Sequence, residues 1–374
     1  MNYQTTKPIL AIVTQAIRRD IHDPLKYFTD FEVIHYYHEA PYGDMTDKDF
    51  SGPTKAVRFT SSKDLYGKLM ALKPNIIQGA EPYASRKALR FSLSAQSAAK
   101  KVKAKFIFPM LENRPASSRF GLAAPVVKKV LRNYAQKSDL IFTLNKGAVQ
   151  NLNEIGIRGA KVVPLMWGVW GVDTELFSPK RNGKEPAWRL PTIIYIGRLV
   201  EEKGILDIID AFKLVSSLKK LQLVFVGSGP MESEVKKYLA SGDAHSKIVY
   251  LGSKHQDDLP PLLRASAMSI YPSRTTPKWE EQVGTVNLQA MSCGTPVIST
   301  QSGAIPEYVP DGKVGFLVPE SAPQELAKAI LAILNDKKLA RKFGEQGRQY
   351  VLHHYDVRHN VKEGEKWIKK LISK

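Results

Sequence analysis

The sequence contains one cysteine, Cys293, among 374 residues. An internal disulfide is excluded, and a single thiol makes no metal cluster. Lying in a helical run just ahead of Gly294, it reads as a small buried helix residue rather than a nucleophile. No apolar run approaches the roughly 18 residues of a membrane span. The N-terminal stretch MNYQTTKPILAIVTQ lacks a basic segment followed by a long apolar core and a cleavage site, so no secretory signal is read. The cytoplasm is the expected compartment. Histidines are few, and His22, His38, His245, His255 and the pair His353-His354 show no ligand spacing; they read as solvated or core residues. Asp47-Lys-Asp49 has the DxD spacing of some metal sites, but no apolar strand leads into it, so no metal is expected. There is no fixed-period repeat and no low-complexity segment.

Acid is scarce in one place above all. From Arg86 to Lys137 there are thirteen Lys or Arg and one acid, Glu112, a net +12 within a chain of net +19. A face of that charge needs an anionic partner or must tolerate self-repulsion. Nucleic acid, an anionic membrane and an anionic substrate all fit. Within the stretch, Ala124–Lys137 sets Val126, Val127, Val130, Leu131 and Tyr134 against Lys128, Lys129 and Arg132. That is an amphipathic helix, whose apolar side is read as core.

With 43% hydrophobic and 24% charged residues the chain is globular and long enough for two domains. Short apolar runs alternate with helical patterns. Strands are expected at Ile9–Thr14, Phe31–Tyr37, Asn75–Gln78, Lys105–Met110 and Leu140–Leu144. In the second half they are expected at Thr192–Ile196, Gln222–Val226, Ile248–Leu251, Met268–Tyr271, Pro296–Ser299 and Gly315–Val318. Such alternation means parallel sheets with helices on both faces. The seam lies near Gly171–Pro179 and the polar stretch after it.

In sheets of this kind ligands sit outside the carboxyl ends of the strands, so the strand-to-helix turns matter most. In Tyr195-Ile-Gly-Arg-Leu-Val-Glu-Glu-Lys-Gly204, Gly197 ends a strand, and Arg198 and Lys203 flank the turn before a helix. Two cations there suit a diphosphate, Arg as a fork and Lys as a point charge. Solvated cations paired with Glu201 and Glu202 are the alternative. In Val226-Gly-Ser-Gly-Pro230, Gly227 follows another strand and admits either a nucleotide or a plain tight turn. In WEEQVGTVNLQAMSCGTPVIS, Gly284 precedes a helix beginning near Thr285 and Val286. Its unpaired N–H groups and dipole attract anions. Glu281 stands just outside it, and Gln289 lies one turn inside, on the side of Thr285. An N-capping carboxylate and a buried polar residue are the alternative.

Together, "YIGRLVEEKG", "VGSGP", "EEQVGTVNLQAMSCGTPVIS", "SGAIPEYVPDGKVGFLVP" and "GVDTELFSP" resemble, in order and spacing, the signature set of the retaining GT-B glycosyltransferases of family four. The likeness covers about Val163 to Tyr350. The first half matches in strand-helix rhythm, with "AEPYASRKALR" similar to one branch of the family. The resemblance implies an α/β GT-B fold, two Rossmann-like domains facing each other across a cleft. Residues 1–178 would bind the acceptor and residues 179–350 the nucleotide-sugar. Residues 351–374 would form a helix returning to the first domain. It also implies a metal-independent hexosyl transfer with retention, needing no cofactor. Arg198 and Lys203 would hold the diphosphate of a UDP- or GDP-linked donor, and Glu281 the donor-sugar hydroxyls. The N–H groups of Gly284, Thr285 and Val286 would take the distal phosphate, and Gly252, Ser253 and Lys254 would lie at the base.

Departures from the family pattern are specific. The second Glu, eight residues after the first, is Gln289 here, which keeps an acceptor for the ribose and adds a donor. The turn after the first strand, Thr14-Gln-Ala-Ile-Arg-Arg, has no glycine. Where many members carry a His this chain has Leu111-Glu112-Asn113. Glu112 would then bind a donor-sugar hydroxyl or steer the acceptor, or else neutralise the cations around it. The basic stretch implies a peripheral position on an anionic membrane and an acceptor that is lipid-linked or anionic. The rival functions are a nucleotide-sugar 2-epimerase of the same fold, for which no base set is found, and a nucleic-acid-binding protein. Against the latter, only Phe91, Phe106, Phe108 and Phe120 lie between Arg86 and Lys129, too few to interleave with the cations, so no nucleic acid is expected.

Overall fold

The structure is a computed structural model and describes residues 7–40, 54–180, 183–239 and 247–373. Asp47-Lys-Asp49 and His245 lie outside the described residues. The chain divides into two compact units, Met1–Gly171 with Val357–Lys374, and Val172–Asp356. The sequence reading had set these boundaries at 178/179 and 350/351.

The first unit is built on strands β1 (Ile9–Ala16), β2 (Glu32–Glu39), β3 (Lys55–Arg58), β4 (Ile76–Gln78), β5 (Lys105–Met110), β6 (Leu140–Thr143) and β7 (Val162–Pro164). They form a parallel sheet in the order β3-β2-β1-β4-β5-β6-β7. Successive strand residues point to opposite faces, and the core follows that alternation. Ala11, Val13, Ile77, Phe106 and Phe108 join one cluster; Leu10, Ile12, Ile76 and Ile107 join the other. The first cluster is closed by the helices Arg86–Val102 and Ala124–Gln136. The second is closed by Phe28, Trp167, Trp170 and the helix Val357–Ile372. That helix crosses Trp167 so closely that a Cβ on Gly364 would stand 1.9 Å from the indole. Its buried Glu365 accepts N–H bonds from Thr29 (2.9 Å) and Asp30 (2.7 Å), fixing the tail to the loop before β2.

The second unit holds β8 (Thr192–Ile196), β9 (Gln222–Val226), β10 (Lys247–Tyr250), β11 (Met268–Tyr271), β12 (Val297–Thr300) and β13 (Gly315–Val318), parallel in the order β10-β9-β8-β11-β12-β13. The inner strands TIIYI and QLVFV are buried at every residue, as expected of a parallel sheet covered on both faces.

The structure adds two strands to the sequence reading, β3 and β7. Both are short sheet edges, and neither carries an alternating apolar pattern long enough to see. It adds the short helices Arg19–His22, Ala116–Phe120, Lys146–Glu154 and Ile305–Tyr308. One expectation is corrected. In Ala124–Gln136 the core side is Leu131 and Tyr134, with Val127 and Val130 half-buried; Val126 points outward and is 67% exposed. Ala124 opens the helix already buried, and Val126 stands off the row Ala124, Val127, Leu131 and Tyr134 that meets the sheet.

Candidate functional site

The strand order of the second unit reverses between β8 and β11, and in such sheets the crevice at that reversal takes the ligand. On the β8 side stand Gly197, Arg198 and the turn Glu201–Lys203, which leads into the helix Ile205–Ser216. On the β11 side stand Ser273, Arg274 and a loop running to Gly284, where the helix Thr285–Ser292 begins.

The two sides are joined by side chains. Lys203 Nζ donates to Glu281 Oε2, and the Ser273 hydroxyl donates to the same oxygen at 3.0 Å. The Lys203 ammonium also lies 4.5 Å from the centre of the Trp279 ring. Below them Arg274 Nε donates to Asp207 Oδ2 at 2.6 Å, with its Nη2 on the other oxygen, and this buried carboxylate raises the Arg274 pKa further. The Arg274 N–H donates to Glu202 O at 2.8 Å. Thr275 is tied to Glu320, past β13, by N–H and hydroxyl bonds of 2.6 and 2.7 Å. The Ala304 N–H donates to Glu281 O at 2.8 Å. The loop carrying Glu281 is thereby tied to Lys203, Asp207, Glu202, Glu320 and Ala304.

Close backbone approach explains two glycines. Gly204 has φ +68°, and a Cβ on it would stand 2.1 Å from Pro272 O, so the β8 turn rests directly on the end of β11. Gly227 has φ +134°, and a Cβ there would stand 1.9 Å from Gly197 O. The ends of β8, β9 and β10 are stitched by Gly197 N–H to Val226 O and Gly227 N–H to Gly252 O, both 2.9 Å. Tyr195, buried with its phenol pKa pushed up by burial, donates to Arg198 O at 2.6 Å and sets the turn under the guanidinium. Arg198 itself is more than half exposed, and its one ion-pair contact among the described residues, to Glu202, is long at 3.8 Å.

Of the residues singled out by sequence, Lys203 and Glu281 are in contact. Gly197, Arg198, Gly227, Gly252, Ser253 and Lys254 follow three adjacent strands. Ser253 and Lys254 are exposed, and the Ser253 hydroxyl bonds that of Ser228 at 3.0 Å. Gly284, Thr285 and Val286 form the start of a helix whose N-cap residue is a glycine with no side chain to cap it. Gln289 is half-buried one turn further in. Trp279, Ser273 and the Arg274–Asp207 pair carried no signal in the sequence, because only the fold brings them to Lys203.

Glu112 belongs to the first unit and is 3% exposed. Both carboxylate oxygens are engaged, by Arg114 Nε at 3.1 Å and Nη2 at 3.2 Å and by Arg119 Nη1 at 2.8 Å. Of the two roles open to it, neutralising nearby cations is the one this geometry displays. Beside it, after β4, stands Glu81, which sequence reading passed over inside AEPYASR. Glu81 Oε1 takes only long bonds from the N–H groups of Leu111 (3.5 Å) and Glu112 (3.3 Å). Burial, then the Glu112 charge, pushes its carboxyl up to about 7.

His35, on β2, is shifted in the opposite direction. It is stacked on His22 at 5.3 Å, hydrogen-bonded to it at 3.0 Å and to Thr14 Oγ1 at 2.8 Å. Burial, then the His22 charge, lowers its pKa to about 3. The two groups act on stability with opposite signs. Glu81 binds its proton more readily folded than unfolded, so its contribution is full at low pH and is lost as pH rises through about 7. His35 binds its proton more readily unfolded, so its contribution is full above about 6.5 and is lost as pH falls toward 3. Between about 4.5 and 6.5 they offset one another. In Glu81→Gln the offset is gone, and denaturant midpoints should show stability falling by about 2–3 kcal/mol from pH 6.5 to 4.5, more steeply than in the unsubstituted protein. Parallel profiles in the two proteins would contradict these environments.

Residues 179–350 match the family model for glycosyl transferases group 1. An uncharacterised glycosyltransferase of Methanocaldococcus jannaschii is 30% identical over 157 residues, covering 42% of this chain and 42% of that protein. A GDP-mannose-dependent alpha-(1-6)-phosphatidylinositol monomannoside mannosyltransferase of Mycobacterium tuberculosis is 27% identical over 236 residues, 61% of this chain and 60% of that one. The matched part thus spans less than two thirds of either relative's length. Among solved structures, Anabaena HepE in complex with UDP aligns over 97% of this chain and 100% of its own, with a TM-score of 0.77 at 18% identity, a likeness of fold. Residues 179–350 are thus a glycosyl transferases group 1 region, and the two Rossmann-like units of the chain have the GT-B fold.

Proposed function

We propose that the chain transfers a hexosyl group, with retention, from a UDP- or GDP-linked sugar to a lipid-linked or anionic acceptor, working peripherally on the cytoplasmic face of a membrane. The observation that carries this reading is the Lys203–Glu281 pair across the β8/β11 reversal, beside a helix start with a glycine N-cap and the exposed Arg198. The donor diphosphate takes Arg198, Lys203 and the N–H groups of Gly284, Thr285 and Val286. Glu281, which shares its charge with Lys203 when no donor is bound, turns to the hydroxyls of the donor sugar. Gln289 meets the ribose, and Gly252, Ser253 and Lys254 lie along the base. As the glycosidic bond to the diphosphate breaks, negative charge grows on the leaving phosphate. Two cations and a helix N-terminus, already in place, stabilise it there, and a resident metal is not required for that task. Support for a nucleotide-sugar donor comes from the UDP bound to HepE and the GDP-mannose named for the mycobacterial relative, which leave both bases open. The membrane position rests on the thirteen cations of residues 86–137.

The test is a panel of UDP- and GDP-hexoses followed by proton NMR in the presence of EDTA. One donor of the panel should be consumed, with slow transfer to water where no acceptor is supplied, and the released sugar should first appear with the donor's anomeric configuration. Consumption that stops with EDTA, or an inverted product, would overturn the corresponding part of the reading.

A further inference from the structure

The first unit carries three exposed large apolar side chains among its described residues, Leu93, Leu122 and Val126, and all three fall inside the basic stretch. Leu122 is 103% exposed, as open as in an extended peptide. It sits in the 3-10 turn Gly121–Ala123 that joins the helix Ala116–Phe120 to the helix Ala124–Gln136. Val126 follows four residues later, and Ala123 and Pro125 between them are exposed as well. The result is an aliphatic tip with no polar side chain from Gly121 to Val126.

The tip is propped from below. Arg119 donates to Tyr83 O and Ala84 O, both at 2.9 Å, Phe120 meets the edge of Tyr83 at 5.4 Å, and Ala116 and Ala124 are buried on either side of the turn. Its exposure is therefore the product of a fixed base. Within the basic stretch, four of the thirteen cations are ion-paired, Lys105, Arg114, Arg119 and Lys128. The others, Arg90, Lys100, Lys129 and Arg132 among them, have no carboxylate partner among the described residues. The helices Arg86–Val102 and Ala124–Gln136 cover the same sheet face and touch where Gln96 Nε2 donates to Tyr134 O at 2.9 Å, so their outer sides form one continuous surface.

We infer that Gly121–Val126 is a membrane-inserting wedge: Leu122 and Val126 enter the acyl boundary of an acidic phospholipid bilayer while the surrounding lysines and arginines meet its headgroups. The inference rests on the peripheral-membrane reading above and deepens it. Charge selects an anionic partner. The aliphatic tip separates a bilayer from a nucleic acid, because Leu and Val offer no stacking surface to bases and gain from leaving water for hydrocarbon. An orientation follows: the strand-covering helices lie against the lipid, and the acceptor unit is the one that is moored.

The experiment uses the full chain with Leu122→Cys carrying an environment-sensitive NBD label. Cys293 is buried, with its thiol pushed up to about 12, so position 122 alone reacts. Vesicles of phosphatidylcholine with about 30 mol % phosphatidylglycerol should blue-shift and brighten the label, with the effect weakening between 50 and about 300 mM salt; pure phosphatidylcholine vesicles should do neither. Leu122→Ser with Val126→Ser, at exposed positions where folding is unaffected, should weaken sedimentation with the acidic vesicles at least tenfold and leave the salt dependence in place. If the protein sediments with acidic vesicles while the label stays in water and the double serine variant binds as before, the wedge is wrong and the peripheral reading stands. If neither protein sediments with acidic vesicles even at low salt, or double-stranded DNA is bound in their place, both are wrong.

Discussion

Replacing Lys203 by Ala should lower turnover by about 10² to 10³, the usual loss when one group that meets developing charge is removed. Lys203 is the better placed of the two cations. Glu281 and the Trp279 ring hold its ammonium in position before any donor arrives, so little ordering remains to be done on binding. The change also takes the Lys203 ammonium from the Glu281 carboxylate, so the negative charge of that side chain is less balanced where the diphosphate would lie. Arg198→Ala should fall in the same range, and its fold should be untouched because the side chain is mostly in solvent. Single-turnover rates on the donor identified by the panel decide the matter. Turnover within threefold of the unsubstituted protein in both variants would remove the two residues from the phosphate site.

Gly204→Ala should carry the second large effect, on stability as well as turnover. An alanine held at φ +68° costs about 1–2 kcal/mol, because the left-handed region crowds its Cβ. Here that Cβ would also stand 2.1 Å from the Pro272 carbonyl, which is backbone and cannot rotate aside. The β8 turn must then lift from the end of β11, carrying Lys203 away from Glu281. A loss of about 3 kcal/mol or more is expected, at the level of a serious core defect. Gly312→Ala is the control, with φ +69° and nothing within 4 Å, and should lose only about 1 kcal/mol. Equal denaturant midpoints for the two variants would mean that the close approach does not constrain the turn.

How far such sites can be read from sequence depends on what makes each residue visible. The buried parallel strands β8, β9 and β11 were found at their observed bounds, since each is a short apolar run ended by a turn, and so was the edge strand β13, whose GFLV is apolar throughout. Edge strands β3 and β7 gave no such signal, because a strand with one neighbour need not be apolar on both faces. The contact of Lys203 with Glu281 spans 78 residues and was not read from the sequence, which gave only the nearness of the two turns, because a doubly wound sheet brings their strand ends together. Trp279 and the Arg274–Asp207 brace were not read either, since nothing local marks a residue as a brace. Val126 was counted with the apolar side of its helix, but it lies one position off the row Ala124, Val127, Leu131 and Tyr134 that meets the sheet. Glu81 and the His22–His35 pair escaped notice for a different reason: their unusual environment comes from burial and from neighbours on other strands, which no spacing rule records.

The central claim is that the carboxyl ends of β8 and β11 bind a nucleoside diphosphate group. Calorimetric titration of UDP, GDP, uridine and guanosine into the chain and into Lys203→Ala tests it most directly. One diphosphate should bind at least a hundredfold more tightly than its own nucleoside, a gap of about 2.7 kcal/mol, and Lys203→Ala should remove most of that gap. A nucleoside that binds as well as its diphosphate, or a gap that survives the loss of Lys203, would contradict it.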